Sequence, residues 1–132
     1  MADILKTIET SKRAEIAAAK AMVSPAGETR VASLDNGRLV TFTITPEDAG
    51  LKRAPVEAIR GGDAAHNAEA LKAVLAGAAG AYRDTVLLNA GAALIVAGKV
   101  QTLADGAKLA ATMIDSGKAR ERLDRLIAVS NG

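Results

Sequence analysis

The chain has 132 residues, with 17 Lys and Arg against 15 Asp and Glu, no cysteine and one histidine. That length suits one domain with one core, and the lack of thiols excludes disulfides, thiolate nucleophiles and zinc–thiolate sites. The charges are interspersed and the only aromatics are Phe42 and Tyr82, so there is neither a basic run nor a stacking platform, and no nucleic-acid partner is expected.

In chain order, Asp3 is placed to cap a helix reaching about Met22, with Ile4, Leu5, Ile8 and Ile16 as a narrow apolar stripe. Residues 1–20 mix charged and apolar positions and lack the continuous apolar stretch of a signal peptide. The segment Val23-Ser24-Pro25-Ala26-Gly27 breaks the helix and reads as a linker. Two strands follow, Thr29 to Leu34 and Arg38 to Thr45, joined at Asp35-Asn36-Gly37, where Asn-Gly is a tight-hairpin signal. Val40, Phe42 and Ile44 share one face, expected to be buried, and Leu39, Thr41 and Thr43 share the other.

Thr45-Pro46-Glu47-Asp48 then opens a helical turn that Gly50 closes, and Pro55 opens a second turn, Val56 to Arg60. Gly61-Gly62 interrupts the chain, and Asp63 caps a helix to about Ala76 with Ala68, Leu71, Val74 and Leu75 as its stripe. Gly77 and Gly80 precede a helix over about Tyr82 to Ala97. It is apolar nearly all round after Asp84 and is expected to be the central buried helix. Its apolar stretch, Val86 to Ala97, is interrupted by Asn89 and is shorter than the roughly 20 residues of a membrane span, so a soluble, cytoplasmic chain without a membrane partner is expected. Thr102 and Asp105 resemble a capping box for the next helix, Leu103 to Ile114. Ser116 is the expected cap of the last, Lys118 to Val129, whose face is Ala119, Leu123, Leu126 and Ile127. The expected fold class is α+β: an antiparallel hairpin packed with about four to five helices. A core of Ala, Leu, Ile and Val with little aromatic mass predicts modest stability.

Several strings, in fixed order, carry a family resemblance. They are Thr29-Arg30-Val31-Ala32 with the hairpin turn, Ile44 to Leu51, Gly61-Gly62-Asp63-Ala64-Ala65 with Asn67-Ala68, Val74 to Gly77, Arg83 to Ala90, and Ile114 to Ala119. Together, over about residues 27–131, they resemble the C-terminal part of anthranilate phosphoribosyltransferase, a tryptophan-biosynthesis family whose larger domain is α/β. The opening residues, Met1 to Lys6, Ile8-Glu9 and Lys12 to Ala21, resemble the first helix of indole-3-glycerol phosphate synthase. The two resemblances divide the chain into an N-terminal helix, 1–24, and a transferase fragment, 25–132, joined near Val23 to Gly27.

The transferase resemblance implies transfer of phosphoribosyl from phosphoribosyl pyrophosphate to anthranilate, with Mg²⁺ in the parent family. Such chemistry needs a glycine loop for pyrophosphate, acids for the metal and basic residues near the substrates. The family places its Gly-Thr-Gly-Gly-Asp loop and its Lys-His-Gly-Asn segment upstream of the matched region. Its metal-binding Asp-Glu pair lies just before the hairpin, where this chain has Met22 to Glu28. No catalytic residue, metal ligand or cofactor is therefore carried over, and a chimeric or incomplete chain, inactive alone, is expected.

The one anion-site candidate is Gly61, Gly62 and Asp63, whose ordinary reading is a helix cap. His66 has no partner named by the sequence and reads as a surface or packing residue. Asp84 and Asp115 read as helix-end residues, with Arg83 and Asp84 as a structural pair. Glu15 and Lys20 are spaced five apart and do not share a helix face. The run Lys118 to Arg125 reads as a solvated helix face. Two other readings stay open. One is a subunit completed by a complementary chain, the other a self-assembling or interaction module, both acting through exposed apolar surface such as Val40, Phe42 and Ile44.

Overall fold

The computed structural model describes residues 23–132; the expected first helix, with Glu15 and Lys20, lies outside them. The element order is β1 (Thr29–Asp35), β2 (Arg38–Ile44), two 3₁₀ turns (Pro46–Ala49 and Val56–Ile59), and helices α1 (Ala64–Leu75), α2 (Ala81–Val96), α3 (Leu103–Asp115) and α4 (Lys118–Ser130). Among the described residues this is an α+β arrangement of one two-stranded antiparallel sheet and four helices. No helix among the described residues is long and apolar enough to cross a membrane.

The hairpin register pairs Val31 with Phe42, Ser33 with Val40 and Leu34 with Leu39. Its turn forms because Asn36 and Gly37 both take positive φ, 47° and 79°, the conformation that matches the twist of the strands. The face of Val40, Phe42 and Ile44, expected to be buried, is covered only at its base. Ile44 packs against the core, while Phe42 and Val40 are 45% and 51% exposed. Among the described residues no further strand widens this ribbon, so alternation puts these side chains on one face without supplying a cover.

Past the hairpin, the Asp48 carboxylate turns back to accept the Thr45 N–H at 2.7 Å and the Thr45 hydroxyl at 3.0 Å. Gly50, at φ 73°, ends the turn. The segment read as a linker is held in the body instead. Pro25 is fully buried, its carbonyl accepts the Ala54 N–H at 2.9 Å, and the Asn89 amide grips Val23 from both sides. Asn89 Oδ1 accepts the Val23 N–H at 2.8 Å and Nδ2 donates to the Val23 carbonyl at 3.1 Å.

The core lies where α2 crosses α3. Leu87 and Leu88 of α2 meet Leu103, Ala107, Ala110 and Ile114 of α3, with Val74 and Ala49 beside them. The crossing is close because two glycines face each other: a Cβ on Gly106 would stand 2.6 Å from the Gly91 Cα. α2 is central but not buried all round. Val86, Ile95 and Val96 are 40%, 38% and 86% exposed, because α3 covers only one side.

Thr102 caps α3 as its sequence predicts, its hydroxyl oxygen accepting the Asp105 N–H at 3.1 Å. Ser116 does not cap α4. It closes α3, and Gly117 at φ 77° is the residue before Lys118. Only these two residues join the helices, and so tight a reversal requires a left-handed backbone that glycine adopts freely. α4 packs through Ala119 and half-buried Leu123, while Leu126 and Ile127 on the expected apolar face are 64% and 48% exposed.

Candidate functional site

The anion-site candidate from the sequence is the loop that opens α1. Gly61 and Gly62 lead into Asp63, whose carboxylate accepts the His66 N–H at 2.8 Å. Asn67 folds back on the same loop: its Oδ1 accepts the Gly62 N–H at 2.9 Å and its Nδ2 donates to the Gly62 carbonyl at 3.0 Å. The glycines provide room. A Cβ on Gly62 would meet the His66 ring at 3.0 Å, and one on Gly61 would meet Asn67 Oδ1 at 3.1 Å. Gly61, Gly62, Asp63 and His66 are all exposed. The loop thus engages the Gly62 and His66 N–H groups internally and sets a carboxylate at the positive end of the helix, the features of a capped terminus.

The other polar cluster lies at the start of α2. Arg83 is nearly enclosed, with 12% of its side chain exposed, and its Nη2 meets Asp115 Oδ1 at 2.8 Å and Oδ2 at 2.9 Å. Its Nη1 is buried without a hydrogen-bond partner among the described residues. The salt bridge is therefore with Asp115, 32 residues away at the end of α3, and not with neighbouring Asp84. Asp84 is half-buried, and burial pushes its carboxyl above the usual aspartate range, opposed by the Arg83 charge. Next to them the Tyr82 hydroxyl donates to the Arg60 carbonyl at 2.6 Å, fastening α2 to the chain before α1.

A cavity of about 110 Å³ lies between α1 and the start of α2, lined by Ala73, Val74, Ala78, Gly80, Tyr82 and Arg83 among others. Sites for small organic ligands enclose roughly 300–1,000 Å³, so this gap cannot seat both substrates of a group transfer. Among the described residues, no three His, Asp or Glu side chains are placed to share a metal ion. Asp84 lies in the first turn of α2 and Asp115 is the last residue of α3.

Two contacts were not legible in sequence, the Arg83–Asp115 bridge and the Asn89 grip on Val23. Asn89 did carry a signal: a lone amide in a stretch of helix that is uncharged after Asp84 must find partners when it is half-buried. Arg83 carried none, because its partner lies a whole helix away.

Comparison with known proteins places these features. The family described as "Glycosyl transferase family, a/b domain" matches residues 1–120. An anthranilate phosphoribosyltransferase of Mesorhizobium japonicum is 59% identical over 110 residues, covering 83% of this chain and 33% of that protein. One of Xanthobacter autotrophicus is 48% identical over 132 residues, covering 98% of this chain and 38% of the relative. Among solved structures, an anthranilate phosphoribosyltransferase from Thermus thermophilus superposes with a TM-score of 0.72 at 39% identity, over 80% of this chain and 32% of that one. The Saccharomyces cerevisiae enzyme in complex with 4-fluoroanthranilate gives 0.75 at 28% identity, over 80% and 31%. The chain spans about a third of the length of these relatives.

Proposed function

This chain belongs to the glycosyl transferase family with an a/b domain, and from that premise we propose that it is the C-terminal portion of an anthranilate phosphoribosyltransferase. In that reaction the anthranilate nitrogen bonds to the ribose carbon that pyrophosphate leaves, and the nitrogen gives up a proton. The observation that carries the reading is the 59% identity over 110 residues to the Mesorhizobium japonicum relative.

Within that reaction the part played by this chain is support. Its contacts hold helices together: Arg83 ties α2 to α3, Asn89 holds the entry to the hairpin, and the Gly91–Gly106 contact fixes the helix crossing. The described residues do not fit the divalent cation that the reaction uses in the parent family, so no step is assigned to a metal here.

The test is an assay with phosphoribosyl pyrophosphate, anthranilate and Mg²⁺. Purified alone, the chain is expected to give no turnover. Fused from Val23 onward in place of the matched third of the Mesorhizobium japonicum protein, it is expected to support turnover. Turnover by the chain alone would refute the supporting role, and a folded but inactive fused protein would refute the assignment to this reaction.

A further inference from the structure

β2 is the open side of the hairpin. Every residue from Arg38 to Thr43 is exposed, with Leu39 at 68%, Val40 at 51% and Phe42 at 45%. On β1, by contrast, Val31 to Ser33 are half-buried. The phase of the ladder follows from its turn. Asn36 and Gly37 form a two-residue turn closed by the pair Asp35–Arg38, and hydrogen-bonded pairs alternate from there. Ser33–Val40, Val31–Phe42 and Thr29–Ile44 therefore bond to each other, and the N–H and C=O groups of Leu39, Thr41 and Thr43 face outward. Thr45 agrees with this phase, because its N–H bonds the Asp48 carboxylate and not β1. Among the described residues no strand takes up these outward groups. Edge strands are ordinarily guarded by charge, proline or a bulge. β1 carries Arg30 and ends at Asp35, whereas β2 has no charge, proline or glycine from Leu39 to Thr45.

We propose that the outer edge of β2 pairs antiparallel with β2 of a second copy of this chain, with Thr41 on the two-fold axis. Any extended peptide can supply backbone partners, but the side chains and charges of this edge fit its own copy. With Thr41 opposite Thr41 and Leu39 opposite Thr43, every outward N–H and C=O of these residues meets its complement, as a two-fold contact requires. In that register Val40 stands directly opposite Phe42 of the second copy, and Phe42 opposite its Val40. This is a non-hydrogen-bonded position, where facing side chains come closest. Val40 and Phe42 of both copies, each about half exposed in the single chain, then cover one another. Centring the pair on Phe42 would instead enlist Thr45, whose N–H is already engaged by Asp48. The charges fit as well. The uncharged stretch brings no like charges together, and Arg38 comes opposite Ile44 of the other strand, just ahead of its Glu47 and Asp48. A parallel pairing in register would set Arg38 against Arg38. A single strand–strand contact covers less than the roughly 1,200 Å² that stable complexes bury, so the dimer is expected to be concentration-dependent. The pairing stands independently of the reaction proposed above.

The experiment follows the purified full chain by sedimentation over a range of concentrations, with hydrogen exchange read at both ends of the range. A monomer–dimer equilibrium is expected. In the dimer the amides of Leu39, Thr41 and Thr43 should gain protection, while those of Val40 and Phe42, already bonded to β1, should change little. Thr41→Lys sets two ammonium groups opposite each other and should weaken the dimer at least tenfold, and Thr41→Glu should do the same with two carboxylates. Mixed in equal amounts, the two variants should associate again, a recovery that a misfolded chain would not show. Leu126→Asp, on α4, should leave association unchanged. A chain that stays monomeric across the range overturns the proposal. So does a dimer that both Thr41 variants leave intact, or one that protects other amides instead. Assemblies that grow beyond dimers overturn it too, since they require a second edge. Association seen only after residues 1–22 are deleted assigns the β2 edge to that segment and equally overturns the proposal.

Discussion

At Gly106 the absence of a side chain sets the geometry of the core. A Cβ there would lie 2.6 Å from Gly91 Cα and 2.7 Å from the Gly91 carbonyl oxygen, both backbone atoms that no rotamer change can move aside. Gly106→Ala must therefore push α2 and α3 apart and loosen Leu87, Leu88 and Ala107 with them. Overpacking of this kind costs about 1–3 kcal/mol, to be read as a lower urea midpoint at unchanged slope. Asp84 makes a different prediction. Burial raises its folded-state pKa, so the ionised carboxylate is less favourable in the folded chain than in the unfolded one. The cost is absent below the unfolded aspartate pKa, where both states are neutral, and stability falls as pH rises from there through the raised folded value. Asp84→Asn should therefore be more stable than the parent near neutral pH, with the difference vanishing in acid. Unfolding midpoints measured from acid to neutral pH check it, and a difference independent of pH would contradict it.

Among the elements, the helix ends follow local chemistry and the helix faces do not. Thr102 and Asp63 cap α3 and α1 through side-chain oxygens at 3.1 Å and 2.8 Å, each accepting an N–H three residues on. Thr102→Ala leaves the Asp105 N–H without that acceptor, and should cost about 1 kcal/mol, seen as a downward shift of the thermal midpoint. The hairpin turn is as local, since Asn36 and Gly37 reach the left-handed region without help from the rest of the molecule. Ser116 shows the limit of such reading. A serine before a helix is a reasonable cap, but the two-residue reversal between α3 and α4 needs positive φ at Gly117, and this displaces Ser116 to the end of α3. The apolar faces of β2 and α4 show another limit: periodicity states which side chains stand together, and burial depends on what lies opposite.

For the whole molecule, the balance of buried and exposed apolar residues is the main physical fact. Eight apolar residues form the buried core of the described chain, three of them alanines, while Leu39, Val40, Phe42, Val86, Val96 and Leu126 all stand at least 40% exposed. A core of small residues removes little area from water, at about 25 cal/mol per Å², so a modest unfolding midpoint is expected. Its exposed apolar side chains lie on elements that, in relatives about three times its length, belong to a longer chain. The supporting role proposed for the chain is consistent with that balance.

The sequence by itself determined the α+β class, the hairpin with its Asn36-Gly37 turn, the four described helices to within a few residues and the family resemblance, because these rest on short-range backbone preferences and on ordered strings. It also placed Gly61, Gly62 and Asp63 at a helix start, where Asp63 caps α1. Only the tertiary structure decided that Arg83 pairs with Asp115, that Asn89 holds Val23, and that Val86, Ile95 and Val96 of α2 stay exposed. Those facts depend on which surfaces meet in space, and nothing in the local spacing of residues encodes a contact between elements a whole helix apart.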